Sequence, residues 1–87
     1  MGIPVGQLER LWLQAGGNPK YALLMAKIAQ RESSGNPAAK NLNAGTGDHS
    51  IGLWQINQLA HKGAYGTDQE LTDPLTNARA AVALFKA

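Results

Sequence analysis

The sequence predicts a small, mainly α domain interrupted by one polar loop or small β-hairpin. Two kinds of signal predict the helices: apolar residues recurring every three or four positions, and two Asn/Asp-Pro pairs that read as a cap followed by a first helical residue. A third observation predicts the interruption, because Lys40 to Ser50 is rich in Asn, Gly, Thr and Asp.

After Met1-Gly2-Ile3, Pro4 occupies a place where a first helical residue is tolerated, and Val5, Leu8, Leu11, Trp12 and Ala15 follow at helical spacing. Gly16-Gly17 ends that helix. Asn18-Pro19 opens a second one reaching about Ser33, with Tyr21, Leu24, Met25 and Ile28 as its expected apolar stripe. Gly35 and Pro37 close it. The polar stretch follows, then a short strand or turn around Ile51-Gly52-Leu53 and a turn running into a short helix between Trp54 and about His61. Gly63 to Thr67 reads as loop. Asp73-Pro74 opens a last helix, with Leu75, Ala78, Ala81, Val82 and Phe85 on one side, running to the C-terminus. There is no internal repeat, linker or low-complexity tract.

The 87 residues make one domain at most, and a chain of this size buries only about 60% of the surface its unfolded form exposes. Without cysteine the core has neither disulfide nor thiolate metal site to supplement it. Eight basic against six acidic residues give a net charge of +2, too small and scattered for a nucleic-acid footprint but suited to a weakly acidic polymer. No segment approaches the roughly 20 apolar residues of a membrane span. The N-terminus has neither a basic n-region nor an apolar h-region, so any export would depend on something other than this segment.

Glu32 is the unusual residue. Four positions beyond Ile28, it continues the expected stripe of the second helix, where burial and the negative helix end would both favour a protonated carboxyl. Such a carboxyl is what a general acid for glycosidic-bond cleavage requires. Arg31, its sequence neighbour, points about 100° away and is not placed to pair with it.

Glu32-Ser33-Ser34-Gly35-Asn36-Pro37-Ala38-Ala39, followed by Gly52-Leu53-Trp54-Gln55-Ile56-Asn57, resembles the paired motifs of the lysozyme superfamily. The likeness is strongest to soluble lytic transglycosylases and the related domains of phage tail tape-measure proteins. Leu71-Thr72-Asp73-Pro74-Leu75-Thr76-Asn77-Ala78 resembles the aspartate-proline-asparagine opening of that family's next helix, so the likeness spans about Ala22 to Leu84. It implies a lysozyme-like fold in which the Lys40 to Leu53 segment forms one wall of a cleft, and a peptidoglycan substrate cut at the β-1,4 bond between N-acetylmuramic acid and N-acetylglucosamine. By the same likeness Glu32 is the acid/base, Gln55 and Asn57 line the cleft, Ser33 orients the active-site backbone or a sugar, and Gly52 lets the chain pass close to substrate. Trp54 stands where bacterial transglycosylases commonly have methionine, and either stacks on a sugar or fills the core; Trp12, on an apolar stripe, reads as core.

A hydrolase with two carboxylates would need a second acid roughly 5 to 10 Å from the first. Ser50 occupies the place where animal-type lysozymes carry an aspartate, and Asp48, two residues earlier, would project from the same strand face about 7 Å along. A single acid is enough for transglycosylation, which needs neither activated water nor cofactor and gives 1,6-anhydromuramoyl ends. Transglycosylation is the preferred expectation, with a muramidase using Asp48 as the alternative. His49 and His61 lack the spacing and acidic company of a metal site, and read as surface or hydrogen-bonded residues.

The family continues after this helix with a tyrosine-bearing segment and further helices, whereas this sequence stops at Lys86-Ala87. The expectation is therefore a fragment of a longer chain, or a minimal version whose exposed apolar surface promotes self-association. Two other readings remain: a non-catalytic wall-binding or structural segment of a tail protein, and a small helical nucleic-acid module. The latter rests on two short helices separated by Gly16-Gly17 and on the high pI, with only Lys20, Lys27 and Arg31 forming a partial basic side of the second helix.

Overall fold

The computed structural model describes residues 2–86; Met1 and Ala87, the two ends of the sequence, lie outside the described residues. Helix α1 spans Val5–Gln14 and α2 spans Ala22–Ser33. Strands β1 (Lys40–Asn43), β2 (Asp48–Ile51) and β3 (Ile56–Asn57) follow, then α3 (Gln58–His61), α4 (Asp68–Leu71) and α5 (Pro74–Lys86). The molecule is mainly α with one small antiparallel sheet, as the sequence predicts.

Pro4 is the residue flanking α1 rather than its first helical residue, with extended backbone at ψ 158°. Leu8 and Trp12, one turn apart on α1, are buried at the centre of the core. The Trp12 indole N–H donates to the Asn18 carbonyl at 2.9 Å, which turns the chain back towards α2. There Asn18 Oδ1 accepts from Lys20 N–H at 2.9 Å, capping a tight 3-10 turn over Pro19–Tyr21 that leads into the α-helix.

The buried side of α2 is Ala22, Met25, Ala26, Ala29 and Ser33, whereas Leu24, expected on the stripe, is 51% exposed. The reason is helix packing: α1 lies directly against α2, and a row of small side chains four and three residues apart lets the bulky Leu8 and Trp12 settle on it. Size, rather than hydrophobicity alone, decides which side faces inward.

The sheet has strand order β1-β2-β3, with Lys40 opposite Ile51 and Asn43 opposite Asp48 in the first pair, and Ser50 opposite Asn57 in the second. Ile51 and Ile56 drive the sheet into the core, while all of β1 is exposed. Residues 52–55 form the tight turn between β2 and β3.

Helix α4 is absent from the sequence reading, which ends a loop at Thr67. It is built by a capping box: Glu70 N–H donates to Thr67 Oγ1 at 3.1 Å and Thr67 N–H donates to Glu70 Oε1 at 2.9 Å. α5 begins at Pro74 as expected, and Asp73 Oδ2 accepts from both the backbone N–H and the hydroxyl of Thr76 at 2.9 Å. Ala78, Ala81 and Val82 are buried; Phe85 is 47% exposed, yet its ring meets Trp12 and Tyr21 edge-on at 5.6 and 5.1 Å between centroids.

Candidate active site

Glu32 stands in the last turn of α2 and is exposed. The burial expected from its place on the stripe is not found: the buried side of α2 runs through Ala22, Ala26, Ala29 and Ser33, and along the flank that carries Glu32 exposure grows from buried Met25 through half-buried Ile28 to Glu32 itself. Its carboxyl therefore emerges beside the core, facing solvent. The next residue, Ser33, is buried, and its hydroxyl donates back to the Ala29 carbonyl at 2.8 Å, a bond that ties the helix end rather than reaching outwards.

The chain then reverses sharply. Ser34 takes the left-handed conformation at φ 56° with its N–H on the Gln30 carbonyl at 2.8 Å, and Gly35 follows at φ 73°. A side chain at Gly35 would meet Ile3 backbone atoms at 2.6 and 2.8 Å, where Ile3 N–H already donates to the Gly35 carbonyl at 2.7 Å. The N-terminal strap thus braces the bend that follows Glu32.

The two sequence motifs meet at Ala39. Its carbonyl accepts from Gly52 N–H at 2.7 Å and from Gln55 Nε2 at 3.2 Å, and Gln55 Nε2 also donates to the Gly52 carbonyl at 2.9 Å. Gln55 itself is left-handed at φ 51°, a conformation costing about 1–2 kcal/mol for a residue with a Cβ. Its amide is therefore a clasp between the segment leaving Glu32 and the Gly52–Gln55 turn.

From behind, the turn is held by Asn77, which is fully buried. Asn77 Oδ1 accepts from Trp54 N–H at 2.8 Å, and its Nδ2 donates to the carbonyls of Ile51 at 2.8 Å and Leu71 at 2.9 Å. Gly52, at φ 80°, is small for this reason: an added Cβ would lie 2.3 Å from Asn77 Nδ2 and 2.5 Å from the Leu71 carbonyl oxygen. The glycine thus lets the chain pass close to Asn77 and Leu71.

Trp54 is packed against the core. It is 7% exposed, its indole N–H donates to the Met25 carbonyl at 2.9 Å, and its ring lies 6.4 Å from that of Trp12. Asn57 caps α3, its Oδ1 accepting from Leu59 and Ala60 N–H at 3.0 and 3.2 Å, while Nδ2 donates to the Gly47 carbonyl at 3.2 Å. Asp48 and Ser50 share one face of β2, with the Ser50 hydroxyl donating to Asp48 Oδ1 at 2.6 Å.

A second polar group went unread in the sequence. His49 Nε2 lies 2.6 Å from Asp68 Oδ2, and Gln58 Nε2 donates to Asp68 Oδ1 at 3.2 Å and to the Gly66 carbonyl at 2.7 Å. These bonds and the His49 and Lys40 charges hold the Asp68 carboxyl below its ordinary range, the His49 bond first. The group fastens the hairpin to α4 across 19 residues of sequence, a span that no local spacing rule reads. His61 meets the Tyr65 ring edge-on at 5.6 Å. Among the described residues, no three His, Cys, Asp or Glu side chains converge as a metal site would require.

An open apolar groove of about 270 Å³, lined by Met25, Ile28, Trp54, Ile56, Ala81, Leu84 and Phe85, runs along the flank of α2 that ends at Glu32. A groove of about 320 Å³ lies over α1 between Ile3, Gln14 and Pro74, and Glu32 lines neither. The glutamate sits on an open surface rather than in an enclosed pocket.

Comparison with known proteins agrees with this architecture. No curated protein and no solved structure gives a match. A family described as "Lysozyme like domain" matches residues 9–87, taking in α2 with Glu32, the sheet, the Gly52–Gln55 turn and α5. With that match over nearly its whole length, the chain belongs to the lysozyme-like domain family.

Proposed function

We propose that the protein is a lytic transglycosylase acting on the β-1,4 bond between N-acetylmuramic acid and N-acetylglucosamine, with Glu32 as its single acid/base. Membership of the lysozyme-like family supports peptidoglycan glycosidase chemistry in general, and with it action at the bacterial cell wall. The observation that supports a site at Glu32 is the clasp at Ala39, where Gln55 Nε2 and Gly52 N–H both donate to the carbonyl seven residues after Glu32. It joins the glutamate-bearing bend to the facing turn without spending the Glu32 carboxyl.

In this reaction the Glu32 carboxyl gives its proton to the glycosidic oxygen as the C1–O bond breaks, releasing the N-acetylglucosamine hydroxyl. The resulting carboxylate takes the proton from the 6-hydroxyl of the muramoyl residue as O6 bonds to C1. Glu32 is returned to its starting form, no water is consumed, and a 1,6-anhydro end is left. Ser33 acts by fixing the helix end behind Glu32, Gln55 by holding the opposite wall, and Asn57 by joining that wall to Gly47.

Hydrolysis is the second reading, favoured by the Asp48–Ser50 pair: a carboxylate held by a 2.6 Å bond on an inward-leaning strand is suited to stabilising charge or activating water. Mass spectrometry of the sugars released from isolated peptidoglycan separates the two. Anhydromuramoyl ends, made by the parent chain and not by Glu32→Gln, are the expected result. Ends heavier by one water, lost in Asp48→Asn, would make the protein a muramidase; no product from the parent chain would mean that these residues are an incomplete or non-catalytic domain.

A further inference from the structure

We infer that the outward face of α2 is an adsorption strip for an anionic lipid bilayer, a surface separate from the Glu32 site and independent of the reading given to it. The buried residues Ala22, Ala26 and Ala29 define the core side of α2. At about 100° per residue, Arg31 and Leu24 stand opposite that side, with Lys27 next to them and Leu23 at the edge of the same exposed face. All four are exposed, Leu23 to 48% and Leu24 to 51%. Lys20, exposed in the turn that enters the helix with its Nζ 5.7 Å from the Tyr21 ring centroid, adds a third cation at that end.

The charge on this face has one sign. Glu32 is the sole acidic residue of α2 and is turned about 100° from Arg31, towards the flank of Met25 and Ile28. The other acids of the chain belong to other segments: Glu9 to α1, Asp48 to β2, Asp68 and Glu70 to α4, and Asp73 to the turn before α5. Among the described residues, the one salt bridge is His49 with Asp68, so Lys20, Lys27 and Arg31 are not engaged in any.

The leucines decide the kind of partner. A polyanion with no apolar layer, such as a nucleic acid or a wall polymer, would engage the three cations and leave Leu23 and Leu24 in water. A bilayer offers headgroup phosphates at the level of the cations and an acyl boundary within reach of the leucines, and a helix lying flat uses both.

The test is co-sedimentation of the 87-residue chain with phosphatidylcholine vesicles with and without phosphatidylglycerol, at low and high salt. Lys27→Gln/Arg31→Gln and Leu23→Ser/Leu24→Ser are run beside it. All four positions are exposed, and matched melting curves confirm that the variants fold. Binding to the anionic vesicles alone is expected, lowered about 25-fold in the glutamine variant, at roughly fivefold per basic side chain near the surface. The serine variant is expected to bind several-fold more weakly with its salt dependence unchanged. No binding to phosphatidylglycerol vesicles, or no loss in the glutamine variant, would overturn the inference. So would an unaffected serine variant whose parent binds polyphosphate or duplex DNA as well as it binds vesicles, since the strip would then recognise polyanions.

Discussion

Asn77 and Trp54 are joined by a buried hydrogen bond, 2.8 Å from Trp54 N–H to Asn77 Oδ1, which links α5 to the Gly52–Gln55 turn. The other end of the same amide supports Ile51 and Leu71. Asn77→Ala would strand one N–H and two carbonyls in the core, each at about 1–3 kcal/mol. Against a total stability of about 5–15 kcal/mol, the variant should lose several kcal/mol in denaturant titration. Asn77→Asp should do no better, because it sets a carboxylate against two carbonyl oxygens.

Gly52→Ala should be comparably damaging, since its Cβ would fall 2.3 Å from Asn77 Nδ2 in a backbone already at φ 80°. Thermal unfolding checks this, and a melting temperature within a degree or two of the parent's would contradict the packing described.

At Gln55 two effects oppose. Gln55→Ala loses both side-chain bonds and keeps the left-handed strain, whereas Gln55→Gly loses the bonds but relieves strain of about 1 kcal/mol. The glycine variant should therefore be the more stable of the two by roughly that amount. Both should lose wall lysis if the clasp positions the site, and restored stability without restored lysis is the signature of a positioning role.

The Asp68, Glu70 and Asp73 carboxyls are all held below their ordinary values, by bonds from His49 and Gln58, from Thr67, and from Thr76 respectively. A lowered folded-state pKa means that the unfolded chain binds protons more readily, so these groups stabilise the fold above the ordinary values of 3.8 for aspartate and 4.5 for glutamate. That contribution is lost as pH falls through the lower folded-state values. Melting temperature measured from pH 7 down to 2 should decline below about 4.5, and Asp68→Asn should flatten part of that decline. The Asp68 share is small, under about 1 kcal/mol, because the pair is solvent-screened at the surface.

Much of this fold is legible in the sequence because its punctuation is local. Asn18-Pro19 and Asp73-Pro74 announce α2 and α5, and Gly16-Gly17 ends α1, through conformational preferences that act within a few residues. The same kind of signal was present but unused at Thr67, whose capping box with Glu70 opens α4. What is not local is harder to read. Leu24 faces solvent while Ala22, Ala26 and Ala29 face inward because α1 comes close. Glu32 lies where an extrapolated stripe leads, but the buried side of the helix end is carried by Ala29 and Ser33 instead. Asn77 is buried because three backbone groups from distant segments need partners there, which no pattern within α5 reveals. Glu32, Gln55 and the Gly52 turn were legible as motifs; the clasp through Ala39 that joins them is a tertiary fact.

The most direct measurement of the central claim is the initial rate of peptidoglycan clearance by the parent chain and by Glu32→Gln, with their melting curves compared. Because Glu32 is exposed, the substitution should leave the melting curve unchanged. Loss of general acid/base catalysis should slow clearance by about 10²–10⁴-fold. A folded Glu32→Gln chain that clears peptidoglycan at the parent rate would show that Glu32 is not the catalytic acid.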